Sequence, residues 1–319
     1  MFIIQYNTFC LNIEVVKNLL TELQRIHNKL KDKNEIAIVE KYSCIAKRYT
    51  IVLTAFGICA ISCVVLLQIW LNIANVNLRM NASEPCYIFI TEYFIDQKKY
   101  FYLILLHTNA VICVGALVMV AIGTMLITYI EHTCGMFRIA SYRIEHAITI
   151  NILQNISLKN EISMTEGIIC AVDIHRQAMK LSKHLLSTFE IMICCFTGCV
   201  VACFSLSLFQ LFQIASSTNN VGDFLVSFVY ASVSIIYMFI ANYIGQSTID
   251  HNNNVFITAY NVQWYKTPLH VQRMILFLLQ RRTKEFSLNI GGVFDASMEG
   301  FATLVKASVS YFTLIHSAH

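Results

Sequence analysis

Within its four long charge-free stretches this chain carries a single histidine, His107, together with aromatic and small hydroxyl residues. A lone intramembrane histidine suits a hydrogen-bonded packing role or the lining of a pocket, whereas catalysis needs partners that these stretches do not supply. Trp70, Tyr102, Thr108, Phe228, Tyr230, Ser234 and Tyr237 fall in the outer halves of the same stretches. An apolar wall with a few hydrogen-bonding groups is what a small, mostly apolar molecule requires. Ordinary helix packing and an interfacial aromatic belt would use the same residues. The ligand-lining set expected on the first reading is Trp70, Tyr102, His107, Tyr230 and Tyr237.

Signatures of other chemistry are missing. No GxSxG elbow, HExxH pair, phosphate loop or dinucleotide fingerprint stands at a usable position, so no enzyme activity and no cofactor are expected. A coupled transporter would need intramembrane carboxylates or Gly/Pro-broken helices in matching halves, and neither is present. Of the 12 cysteines, Cys59, Cys63, Cys113, Cys194, Cys195, Cys199 and Cys203 lie in apolar runs, where cysteine packs as a small hydrophobe. No CxxC pair joins a histidine cluster at ligand spacing, so no metal is expected.

The elements that must position these residues are membrane helices. The 319 residues are 56% hydrophobic and only 13% charged, with two prolines and a net charge of +4. That balance fits a lipid environment, and the small, dispersed positive charge gives no footing for nucleic acid. Four runs contain no Asp, Glu, Lys or Arg: 49–78, 100–130, 191–222 and 224–249. Each exceeds the roughly 20 residues needed to cross a bilayer, and lipid admits only segments that satisfy their own backbone groups. A fifth segment, 300–319, is interrupted by Lys306 and made amphipathic by Ser308, Ser310, Thr313 and Ser317. It fits either an interfacial helix or a helix facing a water-filled space inside an assembly.

Loop charges give the orientation. Lys and Arg number eight before the first run, six after the second and five after the fourth, together 19 of the 23 in the chain. These regions alternate correctly to share one side, which the positive-inside rule makes cytoplasmic. The expected fold is therefore an all-α polytopic bundle, with a cytoplasmic N-terminus and an extracellular C-terminus. Its expected spans are about 50–75, 101–130, 191–215, 224–247 and 298–317. Regions 14–48, 131–190 and 250–290 are expected as cytoplasmic helices, since Val15, Leu19, Leu23, Ile26 and Leu30, then Met179, Leu181, Leu185 and Leu186, recur at helical spacing. No internal repeat or low-complexity linker divides residues 1–319, which are taken as one domain. Asn81-Ala82-Ser83 would be an external glycosylation candidate at Asn81, and Asn155-Ile156-Ser157 an inert cytoplasmic sequon.

The C-terminal third resembles a known family. Ala259-Tyr260-Asn261-Val262-Gln263-Trp264-Tyr265, then Gln280-Arg281-Arg282-Thr283, then the run from Met298-Glu299-Gly300-Phe301 through Ser310-Tyr311-Phe312-Thr313-Leu314, resemble the last cytoplasmic helix and last membrane helix of insect odorant receptors. Tyr93-Phe94-Ile95-Asp96-Gln97 and Cys134-Gly135-Met136-Phe137-Arg138 are similar to the middle of such receptors in ants and bees. The TYxxxxxQF ending of the related gustatory receptors is absent.

The resemblance implies a seven-helix fold of which five spans are present here, the chain beginning near the tail of the second. It implies an odorant receptor subunit in the plasma membrane of olfactory sensory neurons, a small volatile ligand, and assembly with a co-receptor, as a hetero-tetramer, into a ligand-gated non-selective cation channel. A truncated non-conducting fragment or a membrane transporter is the alternative expectation. By the same resemblance the last helix lines the pore, with Leu314 and Ala318 facing the gate and Ser317 near the outer mouth. A hydrophobic constriction flanked by polar positions is how such a pore gates by dewetting.

Overall fold

The computed structural model of the chain describes residues 2–78, 100–153, 158–216, 221–283 and 286–318. Its elements are α1 (Phe2–Leu11), α2 (Ile13–Lys29), α3 (Lys33–Leu78), α4 (Phe101–Leu153), α5 (Leu158–Ser216), α6 (Val221–Asn261), a 3-10 turn (Trp264–Lys266), α7 (Leu269–Arg281), the strands β1 (Asn289–Ile290) and β2 (Phe294–Asp295), and α8 (Met298–Ala318). Asn81 and Asn155, with their sequons, lie outside the described residues.

Four helical stretches are long and apolar enough to cross a membrane: Lys33–Leu66, Phe101–Thr149, Glu161–Ala215 and Phe224–Asn261. The chain is a multi-pass helical membrane protein. At 34 to 55 residues, each stretch is longer than a bilayer requires, and its charge-free and charged halves form one unbroken helix. Nothing in these runs interrupts the helix, because Pro268 stands immediately before α7, where its missing N–H is harmless. The fifth expected segment is α8, whose 21 residues span about 31 Å. Its lysine and hydroxyl groups lower its hydropathy below that of the other four.

The chain divides into two compact units. The first contains Met1–Phe9 and Cys44–Thr128. There α3 and α4 approach at Gly57, where an added Cβ would lie 2.9 Å from a methyl of Val120. Small residues allow such close approach in lipid, where no hydrophobic force drives helices together. Few described side chains of this unit are buried, and none of the most apolar window of α3 is.

The second unit contains Cys10–Ser43 and Tyr129–His319 and holds the core. Phe137, Ile139 and Ile144 of α4, Ile168 and Phe189 of α5, Val255 and Ala259 of α6, and Val271 and Ile275 of α7 are all buried. This core is built largely from the charged halves of the helices, beyond the charge-free runs. Apolar burial between segments that also carry charged side chains is what the hydrophobic effect drives in water, as it does not in lipid.

Polar pairs fix the same region. Arg143 of α4 donates from Nε to Glu35 Oε1 (2.6 Å), from Nη2 to Glu35 Oε2 (2.9 Å) and from Nη1 to the Cys170 carbonyl (3.2 Å), tying three helices together. Asp32 caps α3 by accepting from the Asn34 backbone N–H (2.9 Å) and also accepts from Tyr142 Oη (2.9 Å). These two donors hold its carboxyl below the usual range. His175 Nε2 donates to Asn252 Oδ1 (2.9 Å) between the rings of Phe137 and Phe256, and burial pushes its pKa down.

Of the apolar-run cysteines, Cys59, Cys63, Cys195, Cys199 and Cys203 are exposed and Cys113 and Cys194 only partly covered. Those five do not pack inside this chain as the sequence suggested. They sit on the outer apolar surface, where lipid accepts a small hydrophobe as readily as a core does.

Candidate functional site

The candidate site is α8 and the hairpin that launches it. Asn289 and Asp295 flank a tight turn in which Gly291 and Gly292 adopt φ of 62° and 68°, a left-handed conformation that glycine takes without strain. β1 and β2 pair antiparallel there, with Ile290 opposite Phe294. Glu190 of α5 accepts the Gly291 N–H (2.8 Å) and Gln246 of α6 accepts the Met298 N–H (3.2 Å). Ser297 caps the helix, its Oγ accepting the Gly300 N–H at 3.0 Å.

Two glycines let this start sit flush. A Cβ on Gly300 would strike the Asp295 carbonyl oxygen, and one on Gly245 would strike the carbonyl oxygen of Ala296. Buried Asn242 lies beside Gly300; its Nδ2 donates to the Met238 carbonyl (2.8 Å), and its Oδ1 has no partner among the described residues.

Beyond that clamp α8 packs on α5 and α6 through Gly300, Leu304 and Ser308, spaced by four residues. Higher up, the ring of Phe212 meets that of His316 edge-on, 4.7 Å between centroids. On the opposite face Thr303, Lys306, Ser310, Thr313 and Ser317 are all exposed. Their spacing of three, four, three and four residues makes one continuous polar seam along the helix.

At about 100° per residue, Ser317 falls at the centre of this seam, diametrically opposite Ser308. Leu314, 65% exposed, lies along one edge, and Ala318 lies roughly a further 40° round, toward the packed side. The arrangement has a packed face, a polar face and one large apolar side chain beside the polar face near the end of the helix.

The five residues expected to line a ligand pocket are divided between the two units. Trp70, Tyr102 and His107 belong to the first and Tyr230 and Tyr237 to the second. Trp70 is 61% and Tyr102 83% exposed, while the Tyr237 ring stands edge-on to Phe196 at 4.5 Å. A cleft of about 530 Å³ between α2 and α5 and another of about 470 Å³ between α4 and α6 are lined by other residues. Among the described residues, no group of three or more His, Cys, Asp and Glu is placed to hold a metal ion.

The hairpin and its clamp were not anticipated, although Gly291-Gly292 between Asn289 and Asp295 is a turn signal. Glu190 and Gln246 carried no such signal, since their partners lie 101 and 52 residues away.

The family model described as 7tm Odorant receptor matches residues 3–309. Putative odorant receptor 92a of Drosophila melanogaster is 24% identical over 147 residues, covering 46% of this chain and 34% of the relative. Odorant receptor 9a of the same organism is 23% identical over 204 residues, covering 61% and 46%. The chain spans about a third to a half of the length of the curated relatives it matches. Among solved structures, the olfactory receptor OR5 from Machilis hrabei in complex with eugenol superimposes with a TM-score of 0.63 at 14% identity, covering 100% of this chain and 78% of that one. The same receptor solved without that ligand gives 0.56 at 13% identity. At these identities the likeness is one of fold.

Proposed function

This chain belongs to the 7tm odorant receptor family, and from that premise we propose that it is an odorant receptor subunit that binds a small volatile molecule and, with a co-receptor, forms a ligand-gated non-selective cation channel in the plasma membrane of olfactory sensory neurons. The carrying observation is the exposed polar seam of α8. A lysine facing hydrocarbon at mid-helix costs about 2.5–3.5 kcal/mol, so Lys306 and the hydroxyls call for a water-filled space on that side. One chain offers no such space on the outward face of its last helix, whereas several subunits around an axis would enclose one. Leu314, beside the seam, would then supply a ring of apolar side chains that closes the path by dewetting, with Ser317 and Ala318 beyond it.

Assembly has further support outside the spans. Leu269, Leu276 and Phe277 of α7 share one exposed face, with Phe277 76% exposed, in a segment too charged to lie in lipid. Such a face suits contact with another subunit. The positive-inside count puts the N-terminus in the cytoplasm and the C-terminus outside, which would make Asn81 external. Ligand would bind among Trp70, Tyr102, His107, Tyr230 and Tyr237 and act by its greater affinity for the open state.

The test is whole-cell recording from cells co-expressing this chain and a co-receptor during exposure to a broad panel of volatiles. An evoked cation current that needs both proteins is expected, and a silent panel from a chain present at the surface would sink the proposal. Alanine at Trp70, His107, Tyr230 and Tyr237 together should shift the response at least about tenfold, as loss of a few buried contacts does. An unchanged response would place the pocket elsewhere.

A further inference from the structure

The cleft between α2 and α5 shares no residue with the sets proposed above for odorant binding and conduction, yet it has the features of a site. Four cations converge on it from two helices, Arg25 and Lys29 of α2 and Arg176 and Lys180 of α5. Each pair is spaced by four residues and so lines one face of its helix. All four are exposed, and among the described residues none of them forms an ion pair. Beneath them Leu19 and Leu181 are buried, giving the cleft an apolar floor.

Two carboxylates also border the space. Asp173 is engaged on its own helix, accepting from Gln177 Nε2 at 2.7 Å, which leaves Glu22 as the acidic group free of a recorded bond. The balance of the walls is positive, four cations against two carboxylates. Like charges gathered in a concave site repel one another more than the same charges spread over a convex surface, and a bound anion relieves that repulsion. Arginine forks match phosphate oxygens two at a time, and lysines add point charges.

We propose that this cleft binds a polyphosphate anion of the phosphorylated-inositol type, through Arg25, Lys29, Arg176 and Lys180. Its volume of about 530 Å³ lies within the range that small-molecule sites occupy. Its place relative to lipid also fits. His184 lies seven residues, about 10 Å along the helix, before the charge-free run of α5, and Lys180 about 16 Å. Basic pockets at that depth bind phosphorylated lipid head groups. A soluble inositol polyphosphate would present the same chemistry from the aqueous side.

The purified chain of residues 1–319 in phosphatidylcholine nanodiscs would be titrated with fluorescent soluble inositol trisphosphate. In parallel, it would be reconstituted into phosphatidylcholine vesicles with and without about 5 mol % phosphatidylinositol bisphosphate, and lipid binding followed by energy transfer. Arg25→Gln with Arg176→Gln is expected to weaken binding at least about tenfold, the loss usual for two charge-assisted contacts. Arg281→Gln with Arg282→Gln, which removes as much charge outside the cleft, should change it less than about twofold. Glu22→Gln breaks no recorded contact and is expected to tighten binding about two- to fivefold.

Saturable binding of the soluble probe with this pattern identifies a site open to free polyphosphate. The pattern in vesicles alone identifies a lipid head-group site. Absence of saturable binding by both probes, equal losses in the two arginine pairs, or unchanged or weaker binding in Glu22→Gln would overturn the site.

Discussion

Ser205 and Ser308 meet at the contact between α5 and α8: the Ser205 hydroxyl is shared between the Ser308 main-chain carbonyl at 3.0 Å and the Val201 carbonyl of its own helix at 2.8 Å, and both serines are shielded from the surroundings. The Ser308 hydroxyl turns back to the Leu304 carbonyl of its own helix at 2.9 Å. Two small residues thus let α8 lie close against α5, which leaves the other side of α8 free for its polar seam.

Replacing Ser205 separates the hydrogen bond from the space it occupies. Ser205→Ala keeps the close approach and should cost about 0.6 kcal/mol, the average for such bonds inside a membrane. Ser205→Leu forces the helices apart and should cost about 1–3 kcal/mol. Thermal unfolding of the two variants in the same detergent would show the larger shift for leucine; equal shifts would mean that the bond, not the spacing, holds the helix.

Alanine at Gly300 or Gly245 should disrupt the start of α8. In each case the new methyl would meet a backbone carbonyl oxygen, of Asp295 or Ala296, which cannot rotate away as a side chain would. A cost of about 1–3 kcal/mol is expected, with lost ligand-evoked current at reduced surface level. Gly292→Ala has no such clash but sits at φ 68°, so its penalty should come from backbone strain alone and be smaller, about 1 kcal/mol.

The Glu35–Arg143 pair should be unequally sensitive to single and double replacement. Glu35→Ala leaves the Arg143 guanidinium half-buried with only the Cys170 carbonyl and should cost roughly 3 kcal/mol. Replacing both by apolar residues of similar volume should recover most of that loss, measured as the unfolding midpoint of single and double variants.

Stability should fall on mild acidification through His175, which lies in the charged half of α5, ahead of its charge-free run. Burial lowers its pKa in the fold, so it stays neutral and donates to Asn252. A group with a depressed folded pKa contributes no penalty above its unfolded value, near 6.5. As pH falls below about 6.5 the unfolded chain gains the proton first, and stability declines until the folded pKa is reached. Unfolding midpoints at pH 7.5 and 5.5 should differ less in His175→Gln than in the unaltered chain; an equal difference would assign the pH dependence to other groups.

A charge at Leu314 should change the resting channel. Leu314→Glu wets the expected constriction, so basal current in the co-expressed assembly should rise several-fold at equal surface expression. Ser317→Ala, which leaves the constriction untouched, should alter current amplitude without that rise.

Much of the architecture was legible from residue type alone. Wherever the structure describes the charge-free runs 49–78, 100–130, 191–222 and 224–249 they lie almost wholly in helices, because a helix is the only open chain conformation that satisfies its own backbone in lipid. Leu19, Leu181 and Leu185, picked out by helical spacing among charges, are buried in the structure, because water on the other face makes that periodicity informative.

Tertiary structure alone decided which way the membrane helices face. Ser308 and Ser310 of α8 are the same residue type two positions apart, yet one is wholly enclosed and the other lies on the open seam. In lipid, apolar side chains gain nothing by turning inward, so a uniformly apolar helix carries no record of its packed side. Nor does a local pattern announce that Glu35 will find Arg143, or that Glu190 will hold the turn at Gly291. Those pairs form only when helices distant in sequence have docked, and docking is set by the summed fit of many side chains rather than by any one segment.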